Sequence, residues 1–117
     1  MDVRELATRI NARVCPGAVE PGPEVRLVHS ADTMSGLIAN ASPETLLVTS
    51  LNNSQLIRVA ELMDAPGLCL VGAVEPSPEL IAQARASGVA IIVSPHGLEK
   101  TRRLLEACLR GVGAVRA

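Results

Sequence analysis

The stretch GLCLVGAVEPSPELIAQARASGVAIIVS, residues 67–94, decides the fold of this 117-residue chain. Within it, residues 68–71 (LCLV) and 89–93 (VAIIV) are short apolar runs that end at turn residues. Both are too short for core helices, so they predict strands. Continuous apolar runs of this kind are typical of strands that are buried on both faces, and such strands are usually parallel.

A helix is predicted between the two runs. Ser77 is a suitable N-cap, Pro78 suits the first helical position, and Glu79 places an acid in the first turn. Gly88 follows the helix, where a left-handed cap favours glycine. The unit is therefore strand, helix, strand, and a connection of this kind is expected to cross over right-handed.

The same alternation extends in both directions from this unit. A helix capped by Asp2 is predicted to run to about Val14, and a Pro/Gly-rich loop follows over 15–24. Strands are predicted at 25–29 and 45–49, and a last helix after 97. The helix after the first of these strands has Ser30 or Asp32 as its candidate cap, and the helix after the second has Asn53 or Ser54. We therefore expect one α/β domain over 1–117, with an open, mainly parallel sheet of about four to five strands and helices on both faces.

Composition excludes several classes of function. The chain has 11 basic and 12 acidic residues and a formal net charge of −1, so no global field attracts nucleic acid or an anionic membrane. It has no Phe, Tyr or Trp on which single-stranded bases could stack. No apolar run approaches the roughly 20 residues that span a bilayer, and the charged amino terminus is unlike a signal peptide. These features predict a cytoplasmic protein that binds neither nucleic acid nor membrane.

The cysteines do not suggest a site. Three of them stand far apart, without the paired spacing of a zinc site, at Cys15, Cys69 and Cys108. We expect reduced thiols that pack as small apolar side chains, and neither a metal nor another cofactor. A redox or metal role for the cysteines remains a third hypothesis, which requires them to be exposed or close together.

A ligand site is expected at the carboxyl edge of the sheet, where parallel strands end and helix N-termini point outward. The turns on this edge contain small and polar residues, although serine and asparagine there can equally serve as helix caps. Neither GxGxxG nor a Walker motif is present. The candidate ligand-binding residues are Ser50, Asn52, Asn53, Ser54, Gly72, Ala73, Glu75, Ser94 and His96.

An alternative is a small enzyme in phosphoryl or acyl chemistry. His29 or His96 would act as the base, and Ser50 or Ser94 would supply the hydroxyl. This hypothesis requires a histidine ring and a serine hydroxyl within hydrogen-bond reach in one cleft.

The sequence TLLVTSLNNSQLIRVAELMDAPGLCLVGAVEPSPELIAQARASGVAIIVSPHGLEKTRRLLEACL, residues 45–109, resembles the DRTGG domain and, more remotely, the amino-terminal domain of HPr kinase/phosphorylase. The likeness extends over about 25–109, and EPSPE at 75–79 is its most specific part. The family's Asp-Arg pair is replaced by Asn52 and Asn53, and its Gly-Gly pair by Gly72 and Ala73. Losing both charges weakens any ligand role that the pair has in relatives.

The resemblance implies a role in regulation or protein interaction, without catalysis. Domains of this family occur beside CBS-domain pairs, in phosphotransacetylases, and alone near components of iron-only hydrogenases. The resemblance therefore implies a CBS-domain or hydrogenase-related protein partner. We also expect a homodimer that senses a small anionic ligand such as a nucleotide.

Overall fold

Five strands form one mixed sheet in the computed structural model, which describes residues 1–15 and 24–114. The strands are β1 (Arg13–Val14), β2 (Leu27–Ser30), β3 (Thr45–Thr49), β4 (Gly67–Leu70) and β5 (Ala90–Val93). The helices are α1 (Val3–Arg9), α2 (Met34–Asn40), α3 (Gln55–Leu62), α4 (Pro78–Ser87) and α5 (Leu98–Ala114). The strand order is β1-β5-β4-β3-β2, and only β1 is antiparallel to its neighbour. The predicted fold class is confirmed.

Each face of the sheet carries its own apolar layer. Helices α2, α3 and α4 pack on one face through Leu37, Leu56 and Leu80, and α1 and α5 pack on the other through Leu6 and Leu105. Strands β2, β3, β4 and β5 are parallel and follow one another across the sheet in chain order. Because each crossover connection is right-handed, their connecting helices all lie on the same face. The first and last helices therefore cover the opposite face.

The central β4–α4–β5 unit forms as predicted. The Ser77 hydroxyl accepts a hydrogen bond from the Leu80 N–H at 3.2 Å, and Pro78 is in the first turn. Gly88 ends α4 in the left-handed conformation, with φ of 71°. Both strands are buried along their whole length.

The prediction that the first helix runs to about Val14 is wrong. Helix α1 ends at Arg9, and Asn11 takes a left-handed conformation with φ of 63°. The chain then turns, so that Arg13 and Val14 pair antiparallel with β5. Backbone hydrogen bonds to the sheet edge here outweigh the helical spacing of the apolar residues.

One predicted helix cap is corrected. Thr33, rather than Ser30 or Asp32, caps α2, and its hydroxyl accepts a hydrogen bond from the Gly36 N–H at 3.1 Å. At α3 both predicted residues are involved: Ser54 occupies the N-cap position without a side-chain hydrogen bond, and the Asn53 side chain accepts from the Gln55 N–H at 3.0 Å. Most of the predicted Pro/Gly-rich loop, residues 16–23, lies outside the described residues.

Candidate functional site

The turns after β4 and β5 are joined by hydrogen bonds at the carboxyl edge of the sheet. The Gly72 N–H donates to the His96 carbonyl at 2.7 Å, and the Ala73 N–H donates to the Ser94 carbonyl at 2.8 Å. Both residues have positive φ, 75° for Gly72 and 56° for Ala73. These N–H groups hold two loops together, and so they are not free donors for a ligand.

The side chain of Asn52 links the turn after β3 to the turn after β4. Its Nδ2 donates to the Glu75 carbonyl at 2.9 Å, and its Oδ1 accepts from the Ser77 N–H at 3.0 Å. Both halves of the amide are therefore used within the fold. Asn52 positions the loop that carries Glu75 and presents no free polar atom of its own there.

Ser94 is fully buried beneath the start of α5. Its hydroxyl lies 2.8 Å from the Thr101 hydroxyl and accepts a hydrogen bond from the His96 N–H at 3.1 Å. Thr101, also fully buried, donates to the His96 carbonyl at 3.3 Å. This cluster satisfies buried polar groups and fixes the turn into α5.

A groove of about 210 Å³ opens at this edge, beside β1. Its charged lining groups are Arg13 and Glu75, whose Nη2 and Oε1 atoms lie 2.6 Å apart. The side chain of Arg13 is 49% exposed and that of Glu75 is 81% exposed. We call it the Arg13–Glu75 groove; it is lined by Asn11, Arg13, Ala73, Glu75, Val93 and Pro95.

Two of the groove residues, Asn11 and Ala73, are non-glycine residues with positive φ. Asparagine adopts this conformation readily at the end of a helix, whereas for Ala73 it costs free energy, of the kind that clusters at functional sites. They bring three loops to one place: the loop after α1, the loop after β4 and the loop after β5. The groove is thus the point of this edge where backbone strain, charge and an open cavity coincide.

The sequence predicted only part of this groove. Ala73 and Glu75 are among the candidate residues, whereas the helical spacing places Asn11 and Arg13 in the first helix. Asparagine near the end of a helical pattern favours a left-handed cap, and this signal at Asn11 could have ended the helix earlier. The remaining candidates lie outside the groove lining: Ser50, Asn52, Asn53, Ser54, Gly72, Ser94 and His96.

Among residues 1–15 and 24–114, no histidine ring forms a hydrogen bond with a serine hydroxyl. His96 contacts Ser94 through its backbone N–H, and the Ser94 hydroxyl is buried against Thr101. The ring of His29 makes no hydrogen bond to any described residue. The arrangement that the enzyme hypothesis requires is thus not found in the described part of the chain.

The three cysteines are free thiols, and partly buried Cys108 packs against the same apolar layer as Cys69. Cys15 and Cys69 belong to the apolar layers on opposite faces of the sheet. Burial raises the pKa of the Cys15 thiol and raises that of Cys69 to about 12, so the reactive thiolate is disfavoured at both. No group of three potential metal-ligating side chains occurs within the described ranges.

None of the helices in the described residues is long and apolar enough to cross a membrane. No protein family model matches the sequence, and no curated protein matches it.

A solved structure is similar to this chain: the CBS and DRTGG domains of the regulatory region of Clostridium perfringens pyrophosphatase, complexed with the activator diadenosine tetraphosphate. The TM-score is 0.65 at 15% sequence identity. The match covers 89% of this chain and 45% of that chain, so this chain spans less than half of its neighbour's length. At this identity the likeness shows the fold alone, and it fits the DRTGG-like fold that the sequence resemblance implies.

Proposed function

We propose that this chain is a non-catalytic regulatory module that senses a small anionic ligand, such as a nucleotide, in the Arg13–Glu75 groove. The observation that carries the proposal is the half-exposed Arg13 guanidinium, which faces a groove at the edge where ligands of parallel sheets bind. The regulatory region that is similar in fold was complexed with a nucleotide activator, which supports this class of ligand.

A phosphate group can take the place of Glu75 beside Arg13. An exposed ion pair contributes only about 0–1 kcal/mol, so the loss of the Glu75 contact costs little. Phosphate oxygens accept paired hydrogen bonds from a guanidinium, which adds both strength and orientation. The groove is below the roughly 300–1,000 Å³ of typical ligand pockets, so it holds a phosphate group while the rest of the ligand lies on the surface.

This exchange connects binding to the loop after β4. Glu75 belongs to that loop, which Asn52 fastens to the turn after β3. When a ligand displaces Glu75, the loop loses its contact with Arg13 at the far edge of the sheet. The ligand therefore changes the restraint on a loop that a partner protein can contact. A CBS-domain or hydrogenase-related partner stays a prediction from the family resemblance.

Calorimetry with ADP, ATP, diadenosine tetraphosphate and inorganic pyrophosphate tests the proposal. We expect at least one of them to bind, and Arg13→Ala to weaken that binding by about 10–100-fold, because a hydrogen bond to a charged group is lost. Glu75→Gln removes the competing carboxylate and is expected to strengthen binding. Arg85→Ala, an exposed arginine at the far end of α4, is the matched control and leaves affinity unchanged.

The proposal fails if none of the four compounds binds. It also fails if Arg13→Ala and Arg85→Ala weaken binding equally, since the contribution of Arg13 would then be only its general positive charge.

A further inference from the structure

Strand β2 forms an open edge of the sheet. The N–H groups of Leu27 and Ala31 donate to the carbonyls of Glu44 and Val48, both at 3.0 Å. Because the hydrogen-bonding direction alternates along a strand, the N–H and C=O groups of Val28 and Ser30 point to the side away from β3. No described residue hydrogen-bonds to them.

This edge lacks several of the usual protections against pairing. Natural edge strands are blunted by short length, by charged residues, by proline or by a covering segment. β2 is short, with four residues, and charged Arg26 precedes it, but residues 27–31, LVHSA, contain no proline and no charged residue, and Leu27 is 56% exposed. A groove of about 220 Å³ between β2 and α5 adds further apolar surface through Val28 and Leu109.

We propose that the β2 edge binds a second copy of this chain, with β2 antiparallel to β2 around a two-fold axis at His29. In this register Val28 lies opposite Ser30 of the second copy, and Ser30 lies opposite its Val28. Both residues present their free groups to the open side, so the two pairs form roughly four interchain hydrogen bonds. The five strands of each copy then form one continuous sheet.

The charges next to the strand favour a second copy over an unrelated strand. Residues that face each other in this register have numbers that add to 58, so Arg26 lies opposite Asp32 of the second copy. Both side chains are exposed and of opposite charge; Arg26 pairs with Glu44 of its own chain at 3.1 Å, and Asp32 of the second copy adds a second carboxylate beside it. The two-fold axis repeats this attraction at the other end of the interface. Registers shifted by two residues place Val28 or Ser30 opposite its own copy, so that neither Val28–Ser30 pair forms, and they also separate these charges.

The mass of the chain in solution, followed by sedimentation and light scattering over a range of concentrations, gives the first test. We expect a dimer that Ser30→Pro converts to a monomer. Proline removes an N–H that faces away from β3, so the internal ladder is kept and the circular dichroism spectrum should not change. A monomer at every concentration overturns the proposal, as does a folded Ser30→Pro variant that is still a dimer.

Disulfide trapping tests the register independently of any change in stability. Facing residues that are not hydrogen-bonded to each other have Cα atoms about 4.5 Å apart, within the range of a disulfide. In a Cys108→Ala background, we expect His29→Cys to form a disulfide-linked dimer under mild oxidation. Leu62→Cys, on the exposed side of α3, serves as the control and should remain unlinked.

A dimer in which His29→Cys cross-links no faster than Leu62→Cys overturns the proposal, because the interface would then lie elsewhere. These outcomes do not depend on ligand binding, so the failure of this inference and the failure of the proposed function can be distinguished.

Discussion

Replacement of Asn52 by alanine should destabilise the protein more than its half-exposed position suggests. The change removes two hydrogen bonds, to the Glu75 carbonyl at 2.9 Å and from the Ser77 N–H at 3.0 Å. Each such bond contributes roughly 0.5–1.5 kcal/mol. Because water can reach this turn and replace part of the loss, we expect the free energy of unfolding to fall by about 1–2 kcal/mol.

Urea denaturation followed by circular dichroism measures this change. With a denaturant slope of about 2 kcal/mol/M, the unfolding midpoint should fall by about 0.5–1 M. Asn53→Ala is the matched control, because exposed Asn53 makes a local bond with the Gln55 N–H, and its loss should cost less. Equal effects of the two variants would refute the idea that Asn52 fastens the loop after β4.

Two further predictions concern packing and pH. Gly67→Ala should lower the free energy of unfolding by about 1–3 kcal/mol, because the added Cβ would lie 3.0 Å from the Ala90 carbonyl oxygen and 3.2 Å from the Val3 side chain. Gly97→Ala is the control in the same urea assay and should be close to neutral, because the space around Gly97 is open. Burial raises the pKa of Cys69 from about 9 to about 12, so the unfolded chain binds fewer protons in this range and stability should fall as pH rises, by at most about 1.4 kcal/mol per pH unit. Denaturation of Cys69→Ala under reducing conditions should show a smaller fall, and an unchanged slope would contradict the assignment.

The elements around α4 could be predicted because their signals are local. Ser77, Pro78 and Gly88 each fix a backbone position through their own chemistry, and the flanking apolar runs are long enough to indicate buried strands. The sheet as a whole then followed from the alternation of strands and helices.

The first strand could not be predicted in this way. Arg13 and Val14 belong to β1 only because β5 presents a free edge beside them, and that edge is formed by residues about 80 positions later in the chain. Similarly, the sequence alone suggests that the Ser94 hydroxyl and the Gly72 backbone are available to bind a ligand. Their partners, Thr101 and His96, were visible only after the turns had come together.

The sequence by itself determined the strands and helices other than β1 and the end of α1, because apolar spacing and caps act over a few residues. The tertiary structure decided which polar groups remain free at the carboxyl edge. Arg13 and Glu75 are 62 positions apart, and their ion pair depends on the turn at Asn11 and on the pairing of β1 with β5. Such contacts arise from the packing of distant segments, and so no local pattern in the sequence contains them.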